Sequence, residues 1–219
     1  MRREKYLTTL LVMSMLSYFM MVNMSMTADA EDLSKYYSKS QDSRIENMIF
    51  NARQAFFDEK KLIKYIVELT KLDYSDCEFI VQESKNDKID PFMVLGVLKK
   101  ESNFNPSAKG IAGERGLGQL MENTAKPVAE NLGYIYDRDK LFDIRYNLKL
   151  TITQLEYLKE LYQGDVHKIL TAYNRGQQGL VDYINSRKYN NENPSISDYS
   201  SEVLQFAAEY KEEFDNFNN

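Results

Sequence analysis

Apolar residues recur every three or four positions along most of this chain, and the pattern gives way most completely between residues 103 and 118. A side chain returns to the same helix face at that interval, so each such run marks an amphipathic helix. Ile45, Ile49, Ala52 and Phe56 form one stripe, continued by Leu62, Ile66 and Leu69. Val94, Val97 and Leu98 form another, as do Leu148, Ile152, Leu155 and Leu158. Val166, Ile169, Leu170 and Tyr173 follow, and Val203, Phe206, Ala207, Tyr210 and Phe214 make the last. Strand-type alternation never lasts more than a few residues, and no segment repeats. Only 9 Gly and 4 Pro occur in 219 residues, which also favours helices. Gly110, Gly113, Gly116 and Gly118 fall in the interruption together with Pro106, which is loop composition. The expected fold is all-α with one irregular Gly-rich loop that carries function.

Local signals set the boundaries. Ser75-Asp76 offers a cap for a helix holding Phe79, Ile80 and Val81. Asp90-Pro91 is a stronger start, an N-cap acid followed by proline in the first turn. Asn123-Thr124 is expected to cap a helix running to Leu132 and ended by Gly133, and a long helix from Ile144 to Tyr162 ends at Gly164. Gly176 lies just past the end of the next helix, and residues 190–194 read as a loop.

The first thirty residues read as an export segment. A basic start, Met1-Arg-Arg-Glu-Lys5, precedes a mostly apolar, uncharged run from Tyr6 to Met26, and Ala28-Asp-Ala30 fits a small-x-small cleavage site. The run is also just long enough to span a bilayer, so a cleaved signal peptide and a retained N-terminal membrane anchor both fit. Either places the remainder outside the cytoplasm, secreted, in the cell wall or in a periplasm. Residues 31–44 are polar and read as a linker, and residues 31–87 as linker plus leading helices. The catalytic unit is expected over 88–219, with the last helix packed on it.

Several chemistries are excluded. The net charge of −5 offers no basic footprint for nucleic acid. Cys77 is the single cysteine and reads as a small core residue, so no intrachain disulfide is available. His167 is the single histidine, without nucleophile partners in sequence, and reads as a surface residue. No metal-ligand spacing and no glycine-rich phosphate loop is present, so no metal and no cofactor is expected. The 16 tyrosines suit either a sugar-stacking cleft or ordinary helix packing.

Glu101 closes the apolar run that begins at Asp90, and at helical spacing it shares a face with Val94, Val97 and Leu98. A carboxyl on an apolar face is costly to ionise, so its pKa rises and it can serve as a general acid near neutral pH. An exposed charge at a helix end has the same local sequence, and spacing alone leaves both readings open.

Four blocks follow in order: Glu101-Ser-x-Phe-Asn-Pro106, Gly113-x-x-Gly-Leu-x-Gln119, Asn123-Thr-Ala125 and Ala172-Tyr-Asn-x-Gly176. Together they resemble the soluble lytic transglycosylase family of lysozyme-like, peptidoglycan-cleaving enzymes, over about Lys88 to Tyr183 and more weakly at Tyr199-Ser-Ser-Glu-Val-Leu. The resemblance implies a lysozyme-like helical domain with its active-site loop at 103–118. Glu101 would then be the single catalytic acid/base, cutting the bond between N-acetylmuramic acid and N-acetylglucosamine and leaving a 1,6-anhydro sugar. Tyr173 would hydrogen-bond and orient the Glu101 carboxyl. Gln119, Met121 and Asn174 would line the cleft, and Gly113 and Gly116 would let the loop backbone approach the glycan. Ser102, Asn105 and Pro106 are expected to shape the turn rather than touch sugar. Peptidoglycan strands would be the partner, with membrane contact only through the N-terminal segment; residues 45–87 could also serve an envelope machine.

The chain departs from the family pattern in three places. Gly118 stands where the family has a methionine, which removes one apolar wall. Gly110 stands where a serine is frequent, and Glu114 where Gly-Ala-x-Gly is usual. Goose-type lysozymes carry an acid at a similar offset, so Glu114 could be a second carboxylate that turns the enzyme into a hydrolase; a solvated loop charge paired with Arg115 is the simpler reading. Asp143 and Glu122 are weaker candidates for that role. A wall-binding protein without turnover is the remaining alternative.

Overall fold

The computed structural model describes residues 39–187 and 193–217. The described chain is helical: α1 Lys39–Thr70, α2 Tyr74–Asn86, α3 Pro91–Ser102, α4 Glu122–Asn131, a 3₁₀ turn Asp139–Phe142, α5 Ile144–Leu161, α6 Val166–Arg187 and α7 Asp198–Asn216. Extended pairing among the described residues is limited to isolated bridges in the Gly-rich loop, Lys109 with Arg115 and Arg115 with Leu120. The chain divides into two units, residues 1–56 and residues 57–219. Of the first, the structure describes the helical residues 39–56. The expected signal or anchor and residues 31–38 lie outside the described residues. Residues 39–44, expected to be linker, are helical. Among the described residues no helix is long and apolar enough to cross a membrane.

In the second unit α3 is the central helix. Asp90 Oδ1 accepts the Phe92 amide at 2.9 Å and Pro91 supplies the first helical residue, as its sequence anticipated. Every residue from Phe92 to Leu98 is buried, with Val94, Leu95, Val97 and Leu98 fully enclosed. Each such side chain contributes roughly 1.5–3 kcal/mol through burial. The last helix, α7, crosses α3 closely because residue 96 is glycine: a Cβ there would stand 2.5 Å from the Val203 carbonyl oxygen. Ser197 and Ser200 cap α7 reciprocally, each side chain bonded to the other's backbone N–H.

Helix α3 stops where Asn103 and Phe104 turn left-handed, at φ 51° and 63°. That reversal leaves Glu101 on the final turn and sends the chain into the 103–121 loop. Two starts differ from expectation. Helix α2 begins after Asp73 and α4 after Met121, neither with a side-chain cap bond, so Ser75-Asp76 and Asn123-Thr124 lie inside their helices. Gly176 ends a helix as expected, but a second helix follows at once, so α6 bends there at φ 73° and ψ 168°. Asp143 caps α5 by accepting the Tyr146 amide at 2.8 Å, a structural role that takes it out of the catalytic candidates.

Two apolar clusters result. The larger joins α2, α3, α5, α6 and α7 and contains the fully buried Cys77. The smaller, Leu120, Ala125, Val128, Ala129, Leu141 and Leu150, holds α4 and the 3₁₀ turn against α5. Tyr173 packs against both.

Candidate active site

A cleft of about 540 Å³ opens along the seam between the two clusters. Leu120 and Val128 come from one side, Ala172 and Tyr173 from the other, and Glu101 and Glu114 both reach it. Helix α4 contributes Asn123, Thr124, Pro127 and Asn131. Helix α5 contributes Thr153, Gln154 and Tyr157, while the bend in α6 contributes Asn174, Arg175 and Gln177. Gln177 Nε2 donates to the Tyr157 hydroxyl at 3.1 Å and ties α6 to α5 across the end of the cleft. Among the described tyrosines, Tyr157 and Tyr173 line it.

The Glu101 carboxyl is raised from 4.5 to about 7, first by burial. Glu114 adds a like charge that raises it further, while a hydrogen bond from Tyr199 and the charge of Lys100 pull the other way. Lys100 is itself paired with Glu202. A carboxyl at about 7 is divided between acid and base near neutrality, the condition for donating a proton and later accepting one.

The hydroxyl on Glu101 belongs to Tyr199, not to Tyr173. Tyr199, from the first turn of α7, donates to Glu101 Oε1 at 2.5 Å. Burial and the adjacent carboxyl push its phenol well above its usual range, so it remains a donor. Tyr173 lies in the cleft, but its hydroxyl donates to the Gly118 carbonyl at 2.8 Å. Sequence placed Tyr199 only in a closing segment, because nothing local marks a tyrosine that meets Glu101 from 98 positions away.

The loop is held by a residue that sequence passed over. Asn147, buried in α5, donates through Nδ2 to the carbonyls of Arg115 and Leu141, both at 2.9 Å. Its Oδ1 accepts the Gly118 amide at 2.8 Å. Gly116 is enclosed by this arrangement: a Cβ would meet the Leu141 carbonyl at 2.1 Å and the Asn147 amide at 2.4 Å. Gly116 is therefore a packing position, and neither it nor Gly113 lines the cleft. Gly113 borders an adjoining groove with Met121, Glu122 and Arg138.

Gln119 and Met121 do line the cleft. Gln119 also pins the loop, its Nε2 donating to the Ala108 and Gly116 carbonyls at 3.1 and 2.8 Å. Gly118 does not leave the expected gap. A Cβ there would stand 2.0 Å from Thr151 Oγ1 and 2.9 Å from the Tyr173 hydroxyl, so those side chains fill the space. Asn105 accepts the Ser107 amide at 2.9 Å and Ser102 bonds the Leu98 carbonyl, both turn-shaping roles.

Glu114 is not paired with Arg115. Its Oε2 accepts the Ala112 amide at 3.0 Å, while Arg115 binds Asp139 at 2.6 Å and lies over the Phe142 ring. Glu122 lies outside the cleft, 4.0 Å from Arg138. His167 is half-buried rather than a plain surface residue, its Nδ1 3.0 Å from Ser200 Oγ. Among the described residues no group of three or more His, Cys, Asp or Glu is placed to hold a metal ion.

The chain is similar to known proteins in sequence and in fold. A protein of Haemophilus influenzae named as a soluble lytic murein transglycosylase is 35% identical over 101 residues, covering 45% of this chain and 17% of that one. Membrane-bound lytic murein transglycosylase C of Edwardsiella ictaluri is 28% identical over 130 residues, covering 55% of this chain and 36% of its own. The chain thus spans well under half the length of these relatives. Two solved structures share the fold. An inactive mutant of the lytic transglycosylase Slt from Pseudomonas aeruginosa aligns with a TM-score of 0.53 at 22% identity, over 70% of this chain and 28% of that one. The 70 kDa soluble lytic transglycosylase of Escherichia coli aligns with 0.52 at 19% identity, over 74% and 29%. Residues 78–196, from within α2 to the segment just before α7, match the transglycosylase SLT domain. With a lysozyme-like helical fold and a match over more than half its length, the chain belongs to the transglycosylase SLT domain family.

Proposed function

We propose that the chain cleaves the glycan strands of peptidoglycan by the transglycosylase route, with Glu101 acting alone as acid and then base. The observation that carries this is the Glu101 carboxyl itself, raised to about 7 at the seam of an open cleft and oriented by the Tyr199 hydroxyl. In the first step Glu101 donates its proton to the oxygen linking N-acetylmuramic acid to N-acetylglucosamine, and the C1–O bond breaks. The muramyl C6 hydroxyl attacks C1 and returns its proton to Glu101, closing a 1,6-anhydro ring. Atoms balance without water, so no second carboxylate has to activate one.

Gln119, Met121, Asn174 and the Tyr173 ring are the substrate-facing side chains in this reading, along the cleft on either side of Glu101. Tyr199 joins them as the residue that orients the acid. The names of the similar proteins support murein as the substrate and an extracytoplasmic place of work. Attachment through residues 6–26 and service to an envelope machine through residues 45–87 extend the same reading. Exposed Met48 and Phe50 on α1 are apolar surface available for the latter.

The test is digestion of purified peptidoglycan followed by mass analysis of the fragments. Products one water lighter than reducing-end fragments, absent with E101Q, are expected. Reducing ends alone would replace this mechanism with hydrolysis, and full function of E101Q would replace it with wall binding.

A further inference from the structure

Glu114 folds back over Gly110. An ideal Cβ on residue 110 would lie 2.1 Å from Glu114 Oε2, 2.7 Å from its Cδ and 2.9 Å from its Cβ, so the acidic side chain covers the face that any other residue would occupy. The short turn beneath is closed by Gly110 N–H to the Glu114 carbonyl at 2.9 Å and Gly113 N–H to the Gly110 carbonyl at 3.2 Å. Oε2 is held by the Ala112 amide at 3.0 Å. The carboxylate is thereby fixed in place on the wall of the cleft it shares with Glu101.

Its charge is not cancelled locally. Among the described residues no ion pair is formed by Glu114: Arg115 is bound to Asp139, and both Arg115 and Lys109 lie over the Phe142 ring. The other groups facing Glu101 are accounted for. Lys100, on its own helix, is paired with Glu202; Tyr199, from α7, donates to Glu101; Tyr173, from α6, donates to the Gly118 carbonyl.

We propose that Glu114 is a positioning residue for the reaction: seated in the hollow that glycine at 110 leaves, its fixed negative charge holds the proton on Glu101. This rests on the reading of Glu101 as the acid, and it gives Glu114 a role other than activating water. A like charge in the same cleft disfavours the ionised carboxyl, so it keeps a larger fraction of enzyme in the proton-donating form above neutral pH. The Coulombic contribution of Glu114 to Glu101 has that sign. Gly110 and Glu114 then form one device, a missing side chain and the carboxylate that takes its place.

The experiment follows Glu101 directly, by carbon-13 NMR of protein labelled at the glutamate carboxyls, with the Glu101 signal assigned by its loss in E101Q. E114Q removes the charge while keeping a side chain that can accept the Ala112 amide. G110A leaves the charge and displaces it. Both are expected to move the Glu101 titration to lower pH, and the alkaline fall in kcat/KM on peptidoglycan should move with it. A loss of about threefold at pH 8, shrinking toward pH 5, is the expected size for E114Q. An unchanged Glu101 titration in E114Q overturns the proposal whatever the activity. A shifted titration in an enzyme whose unsubstituted form releases no glycan fragments supports the coupling and overturns the enzymatic reading instead.

Discussion

Replacing Glu101 with glutamine should make the fold more stable, by an amount that grows as pH rises from about 4.5 through neutrality. The carboxyl sits at about 7 in the native protein against 4.5 unperturbed. Below 4.5 both folded and unfolded chains carry the proton, and the group has no effect on stability. Between 4.5 and 7 the native state binds more protons than the unfolded one, so stability falls as pH rises through that window. At about 1.36 kcal/mol per unit, the cost is about 3 kcal/mol once both forms are ionised. Glutamine is neutral, nearly isosteric, and its carbonyl can still accept the Tyr199 hydroxyl. The stability of E101Q relative to the unsubstituted protein should therefore be near zero at pH 4.5 and approach about 3 kcal/mol at pH 8. Urea unfolding followed by helical circular dichroism at a series of pH values measures this, and tryptophan emission is not an option in a chain with no Trp. A gap that stays constant with pH would refute the claim that burial of an ionisable Glu101 strains the fold.

Tyr199→Phe should move the Glu101 titration upward, because the hydroxyl bond favours the ionised carboxyl, and should cost about 1–3 kcal/mol; Tyr173→Phe should leave that titration nearly in place while weakening the hold on Gly118, a contrast readable by carboxyl NMR. Gly118→Ala should destabilise by about 1–3 kcal/mol through overlap with Thr151 Oγ1, and Thr151→Ala in the same chain should recover much of it in thermal unfolding.

What the sequence disclosed was mostly what is local. Asp90-Pro91 carries its own start signal, and a glycine at 164 or 176 stops a helix wherever the rest of the chain goes. The apolar faces of α3, α5 and α7 were legible because helical periodicity is a property of one segment. The starts of α2 and α4 were misplaced because Ser, Thr, Asn and Asp near a helix end are candidates for capping, and packing decides which residue sits at the boundary. At the site, Glu101 and the residues of the four blocks could be named, but not the partners that give them their state. Tyr199 is one of 16 tyrosines, and only the α3–α7 crossing brings it to Glu101. Asn147 is a polar residue in mid-helix, and its role exists only once the loop carbonyls arrive above it. Gly118 read as a lost wall, because a sequence shows what is absent at a position and not what a neighbour has put there.

The central claim is that Glu101 works without water as a reactant, and digestion of peptidoglycan in water enriched in heavy oxygen tests it most directly. Muramyl products with anhydro ends and no heavy oxygen incorporated at C1 are expected. Reducing ends that carry the heavy isotope would contradict the claim and would assign the attacking oxygen to solvent.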